Sequence, residues 1–340
     1  MLHLRTMKRH GGIFILAIAI SSFFFCSWGF LVHRTTIQLA IYQLPKKLQP
    51  LFYKNEVDLV KTSVRPDQRR FTDSTEAPKH FIDLEMYGDS AVWKMPHTWN
   101  EAVSKYSEDT LKKYGYVPYW ILAMQEKLTN AFRAGKSDSI LFYAADLAHY
   151  IGDANVPLHT AVNYDGQLTN QKGLHNLWES IIPELELTNY NLHSRHRAKY
   201  IRDKADVVWK TIRTAHQLLP QIFLQEREVS KAFTDSTKYR TQIRNGKEVK
   251  TYTSAFAKAY SQQLGNTINR QLLRTSNMIA DFWYTAWVDA GKPDITNFLK
   301  TPYTKEDQQA LKKEVKSYSR NALLRDSLLL ARNGRMKTDD

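Results

Sequence analysis

Between Ala148 and Ser180 the chain reads AHYIGDANVPLHTAVNYDGQLTNQKGLHNLWES, which sets His149, Asp153, His159, His175 and Glu179 in or beside apolar sequence. Any fold must satisfy these groups, because imidazoles and carboxylates buried without partners cost several kcal/mol. Asp153 follows His149 by four residues, and Glu179 follows His175 by four; on a helix such positions share a face and can aim two donor atoms at one point. Pro157 cannot continue the first helix, and His159 lies just beyond its expected end. The loop Asn163–Gly173, turning at Asp165-Gly166, returns the chain to a second helix carrying His175 and Glu179. One reading is a set of ordinary ion pairs and polar contacts. The other is a metal site, since imidazole nitrogen and carboxylate oxygen are zinc ligands; five of them are too many for one tetrahedral ion and too few for three.

The surrounding sequence predicts a mostly α-helical body. In 340 residues there are only 13 Gly and 11 Pro, and helical periodicity marks Thr35–Leu44, Trp99–Tyr114, Pro118–Arg133, Ser139–Gly152, Ala198–Leu218 and Ala255–Ala290. Asn189–Arg197 reads as a connection. Thr241–Tyr252 alternates around Asn245-Gly246, the pattern of a small β-hairpin with a tight turn. Trp283 and Trp287 are expected in the core, and His97, His193, His196 and His216 as structural or solvated groups. Asp146, one turn before His149, is a candidate partner for a site residue.

The N-terminus has the pattern of a secretory signal. Arg5, Lys8 and Arg9 precede the apolar run Ile13–Cys26, whose 14 residues fall short of the ~20 that span a bilayer. Cleavage after Ser27 would start the exported chain at Trp28 and remove the only cysteine, Cys26, so no disulfide is expected; lipidation at Cys26 or an uncleaved anchor are the rival outcomes. Three segments are therefore expected: a signal peptide (1–27), a principal domain (28–293), and a charged helical extension (294–340) after Gly291-Lys292-Pro293. The formal net charge of +14 suits polyanionic partners, nucleic acid or an anionic membrane surface, and also serves solubility.

The run H-Y-x-G-D-x-x-x-P-L-H followed by H-x-x-W-E resembles the zinc-dependent phospholipase C superfamily, which includes zinc-dependent single-strand nucleases. Upstream matches are Trp28-Gly-Phe-Leu-Val-His33, Asp67 in RPDQRR and His80 in KHFID, and the resemblance covers Trp28 to about Trp287. It implies a mostly α-helical phosphodiesterase with three zinc ions. Asp67, His80, His149 and Asp153 would hold one; His159, His175 and Glu179 a second; Trp28, through its free amine and carbonyl, with His33 and a bridging Asp153, the third. It further implies a metal-activated hydroxide attacking phosphorus, made accessible because zinc lowers the pKa of water to ~7, with Asp67 as its orienter or base.

The substrate is expected to be a phosphodiester, either a phospholipid or a single-stranded nucleic acid. Glu179 as the last ligand, the short step from His159 to His175 and the absence of cysteine from the domain resemble bacterial phospholipases, and this spacing tips the reading toward a phospholipase C-like enzyme. The step from Trp28 to His33 resembles the nucleases, as does Arg70, where a guanidinium can clamp phosphoryl charge. Phe81 and Asp83 stand where nucleases stack and hydrogen-bond a base. Leu31, Gln68 and Ala77 depart from the choline-type phospholipases. The reading from another class is a non-catalytic, zinc-stabilised binder of anionic polymers.

Overall fold

The computed structural model describes residues 30–244 and 247–332. Trp28, the signal segment and the Asn245-Gly246 turn lie outside the described residues. The body is mostly α-helical, with one two-stranded antiparallel hairpin.

Its axis is α1 (Phe30–Gln43), in which every side chain from Thr35 to Gln43 is buried. A helix apolar or buried on all sides must sit inside others, and α1 does. The long helices α2 (Val117–Arg133) and α3 (Ser137–Ala154) pack against each other. Further along come α4 (Lys204–His216), α5 (Leu219–Ser230), α6 (Ser254–Leu264) and α7 (Thr267–Asp289). Helix α7 packs on α1, α2 and α3. Trp283 of α7 is fully buried, donates from its indole to the Ala144 carbonyl of α3 at 3.0 Å, and stacks on Phe52 at 4.4 Å. Trp287 is also buried, so both late tryptophans are core residues. Truncating a side chain such as Trp283 to Ala typically costs ~3–5 kcal/mol.

Residues after Pro293 return to α1. Helix α8 (Lys305–Ser319) opens with a capping box between Thr304 and Asp307. Glu314 accepts from the Tyr42 hydroxyl at 2.7 Å, and Gln43 donates to the Tyr318 hydroxyl at 3.2 Å. The Gln38 side chain donates to the Leu328 carbonyl at 2.8 Å and accepts from the Leu330 N–H at 2.9 Å. The chain's last described segment thus covers the helix with which the description begins.

The hairpin forms from Tyr239–Arg244 and Lys247–Tyr252, in a register that pairs Tyr239 with Tyr252. Three expected helices differ in extent. Trp99–Tyr114 is two helices, Trp99–Tyr106 and Glu108–Tyr114, because Ser107 takes a left-handed φ of 68° and its hydroxyl caps the second by accepting from the Thr110 N–H. Ala255–Ala290 is broken at Gly265, φ 58°. The helix expected from Ala198 starts at Lys204, with Asp203 as its N-cap. Ala198, Lys199 and Ile201 instead give their N–H groups to the Gln43 carbonyl, Asp281 and Thr285 respectively; tertiary partners outcompete the local helical preference there. Among the described residues, no helix is long and apolar enough to cross a membrane.

Candidate metal centre

Several elements bring the expected residues together. Helix α1 supplies His33 and α3 supplies His149 and Asp153. The third element runs from the 3-10 turn Pro157–Thr160 through the loop to Leu174–Asn176 and the π-helical turn Leu177–Ile181. Glu179 sits in that π turn, a local irregularity common at functional sites, yet its Oε2 still lies 3.1 Å from His175 Nε2. Asp67, on the short helix Arg65–Arg69, and His80 complete the set.

The candidate donor atoms converge. His149 Nε2 is 3.3 Å from Asp153 Oδ2, 3.2 Å from His80 Nδ1 and 3.7 Å from Asp67 Oδ1. His80 Nδ1 is 2.9 Å from Asp153 Oδ2. Asp153 is shared between two sides: its Oδ2 faces His80 and His149, while Oδ1 faces His33 Nε2 at 3.6 Å. His159 Nε2 stands 2.9 Å from His175 Nε2 and 3.1 Å from Glu179 Oε1. Three groups of donors each lie within 4.8 Å of one another: His33, Asp67 and His149; His80, His149 and Asp153; His159, His175 and Glu179.

These residues suit a cation such as zinc. His149 Nδ1 lies 2.9 Å from the Ser63 carbonyl and His159 Nδ1 lies 2.8 Å from the His80 carbonyl. Each carbonyl can only accept, so each Nδ1 carries a proton, and Nε2 is left as the nitrogen that faces the cluster and binds a metal once it is unprotonated, the arrangement typical of metal-bound histidine. Burial, aided by His33 and His80, pushes the His149 imidazole down to about 4, keeping it neutral. Burial alone would raise the Asp153 carboxyl, but His149, His80 and His159 outweigh it and hold the group well below the usual range. Glu179 is half-buried and likewise lowered: desolvation would raise it, but His175 and His159 outweigh that. Burial would lower His159, but Glu179 and then Asp153 raise it to about 9.

Two supporting residues escaped the sequence reading. Glu76 is buried (1% exposed) and stands behind His80, its Oε1 3.5 Å from His80 Nε2; it also binds Lys79 at 2.8 Å, Arg69 at 3.2 Å and the Tyr150 hydroxyl. Gly152 is the other: an ideal Cβ there would lie 2.7 Å from the His33 ring. The i,i+4 spacing of Glu76 and His80 was the one local signal available for the former. Asp146 is buried but pairs with Arg65 at 2.5 Å and Arg69 at 2.8 Å, neither of them an expected site residue.

Of the remaining expected residues, Arg70 borders the cluster, and Phe81 and Asp83 follow His80 along the chain. Arg70 is exposed, with its guanidinium 3.7 Å from Asp67 Oδ1. Phe81 is half-buried, and its carbonyl accepts from the Val117 N–H at 3.1 Å. Gly115, with φ 85°, lies so close beneath it that a Cβ would fall 2.3 Å from the Phe81 oxygen. Asp83 donates its N–H to the Tyr114 carbonyl at 2.8 Å. Burial and neighbouring Glu85 push its carboxyl up to about 6. Trp28 lies outside the described residues.

A mostly α-helical body with convergent imidazole and carboxylate clusters defines a member of the zinc-dependent phospholipase C and nuclease superfamily. A family model described as S1/P1 Nuclease matches residues 28–287, most of the chain, and the chain belongs to that family. It is accordingly a zinc-dependent phosphodiesterase, and the reading as a non-catalytic polymer binder gives way. The comparison with curated proteins finds no match to this chain.

Proposed function

We propose that the chain hydrolyses phosphodiester bonds of single-stranded nucleic acid, with three zinc ions held by the residues described above. The observation that carries this reading is the nuclease family matched over residues 28–287; the phospholipase reading favoured by motif spacing has no such support. One ion is assigned to Asp67, His80, His149 and Asp153, a second to His159, His175 and Glu179, and a third to His33, Asp153 and Trp28. When bound, zinc supplies Lewis-acid charge and makes water acidic enough to ionise near neutral pH.

The chain's own groups do the rest. Asp67, 31% exposed and beside the buried histidines, accepts a proton at its carboxylate as the nucleophile forms. Arg70 donates N–H groups to the phosphoryl oxygens, where fixed donors stabilise developing charge. Phe81 gives a base an apolar face, and Asp83 accepts from its N–H edge. Export with cleavage before Trp28 belongs to the same proposal, since the α-amine can ligate zinc only if it is free and unprotonated, with an ordinary pKa of ~7.7–8.0.

The test pairs single-stranded RNA and DNA with phospholipids of several headgroups, with and without chelator, on protein of known zinc content. Chelator-sensitive nucleotide release without diacylglycerol release is expected. Diacylglycerol alone overturns the substrate assignment. A His159→Ala variant that folds normally and keeps full activity overturns the catalytic one.

A further inference from the structure

The basic residues of the Asn189–Asp203 connection play no part in the site above. Residues 191–200 carry no regular secondary structure, and their exposure alternates: Arg195, Arg197 and Lys199 face solvent, while His196 and Ala198 are partly covered. The inward side is fastened down. His196 Nε2 meets Asp281 at 2.8 Å, and the N–H groups of Ala198 and Lys199 bond to the Gln43 carbonyl and to Asp281. Arg202 continues the exposed row, and Lys46 and Lys47, just past the end of α1 at Gln43, are exposed as well.

These cations are uncompensated. The neighbouring carboxylates are already engaged: Asp281 with His196, Asp289 with Lys204 and the Tyr200 hydroxyl, and Asp203 with the start of α4. Among the described residues, no ion pair joins an acid to Arg195, Arg197, Lys199, Arg202, Lys46 or Lys47. His193 registers the resulting field: burial, then Arg197 and Arg195, lower its pKa. Tyr200, 49% exposed, adds an aromatic face within the row.

We infer that this strip is an anchoring surface for the sugar-phosphate backbone of a single nucleic-acid strand, separate from the metal centre. It rests on the nucleic-acid reading above for its choice of polyanion. The alternating exposure sets Arg195, Arg197 and Lys199 together on the solvent side of the segment beside an exposed aromatic ring, the combination that holds single strands without reading sequence. Gln43 lies ten residues from His33 along α1, about 15 Å, so a strand seated on the strip reaches the metal centre only if it is several nucleotides long.

The test compares the zinc-loaded protein with two triple variants, Arg195→Gln/Arg197→Gln/Lys199→Gln and a control of equal charge change on other surfaces, Lys113→Gln/Lys250→Gln/Lys258→Gln. Binding of a 20-nucleotide single strand with hydrolysis-resistant phosphorothioate linkages is measured from low to high salt. The strip variant should bind at least ~10-fold more weakly at low salt, with a log–log salt slope shallower by about 2, since each lost phosphate contact removes ~0.7. Its hydrolysis of a dinucleotide should be unchanged. Equal strand binding by the strip variant and the wild type overturns the inference, as does an equal loss in the control. Loss of binding to phosphatidylserine vesicles with strand binding intact overturns it in favour of a membrane surface. If the wild type hydrolyses no nucleic acid yet the strip variant alone loses the strand, the proposed function falls and the strip stands.

Discussion

His33 of α1 stacks on His149 of α3 with ring centroids 4.2 Å apart and planes 18° from parallel, and Gly152 is the residue that admits it. The two helices approach so closely there that any Cβ at position 152 would overlap the His33 ring. Gly152→Ala should displace His33 while leaving α3 helical, because alanine is the better helix former. The expected outcome is a folded protein with zinc content lower by about one equivalent, read by metal analysis beside a far-ultraviolet dichroism spectrum. Unchanged zinc content would remove His33 from the ligand set.

Glu76→Gln keeps the shape of the side chain but removes the carboxylate that backs His80. Supporting groups of this kind typically account for ~10–100-fold in metal affinity or activity. Chelator competition should find zinc held more weakly by an amount in that range. An affinity within twofold of wild type would make Glu76 a purely structural partner of Lys79 and Arg69.

His159 is raised to about 9 in the zinc-free protein, chiefly by Glu179 against the opposing effect of burial. Because its folded pKa exceeds the ordinary 6.5, the His159–Glu179 contact contributes fully to zinc-free stability below about pH 6.5 and is lost as pH rises through 9. Zinc takes the neutral imidazole, so binding at pH 7 must expel a proton that is already gone at pH 10. Calorimetric zinc titrations in buffers of different ionisation heat should detect at least about two more protons released at pH 7 than at pH 10, one from His159 and one from the Trp28 α-amine. A difference of about one proton or none would contradict the protonated His159.

Asp83 titrates near 6, raised by burial and by Glu85. As a carboxylate above that value it can accept from a base; protonated below it, the group loses much of that capacity. At saturating zinc, KM for a nucleotide substrate should therefore rise as pH falls through 6, and Asp83→Asn should flatten that limb of the profile. An unaltered limb in the variant would assign the dependence to another group.

How much of this was readable beforehand depends on whether a relationship is local. His149 and Asp153 lie in one uninterrupted helix, so their convergence follows from spacing alone, and the Tyr239–Tyr252 hairpin was written in its alternation and turn. The Nε2 atoms of His149 and His159 are aimed by the carbonyls of Ser63 and His80, 86 and 79 residues distant, and no sequence window contains both partners. Glu76 and Gly152 acquire their roles only when α1, α3 and the His80 segment meet. Residues 198–203 have helical composition but stay out of the helix, with the N–H groups of Ala198, Lys199 and Ile201 taken by α1 and α7. The breaks at Ser107 and Gly265 were carried by single residues in otherwise continuous patterns.

The clasp of Gln38 by Leu328 and Leu330 has a consequence for the order of events in biosynthesis. Domains ordinarily begin folding from the end synthesised first, but here the first of the described helices is enclosed by the last of the described residues. Until the segment around Leu330 has emerged, Gln38, Tyr42 and Gln43 lack those partners, and the helix bearing His33 lacks its final cover. A ribosome-stalled chain ending near Lys300 should therefore remain protease-sensitive in α1, and completion of the chain should mark the moment at which its metal-binding end becomes rigid.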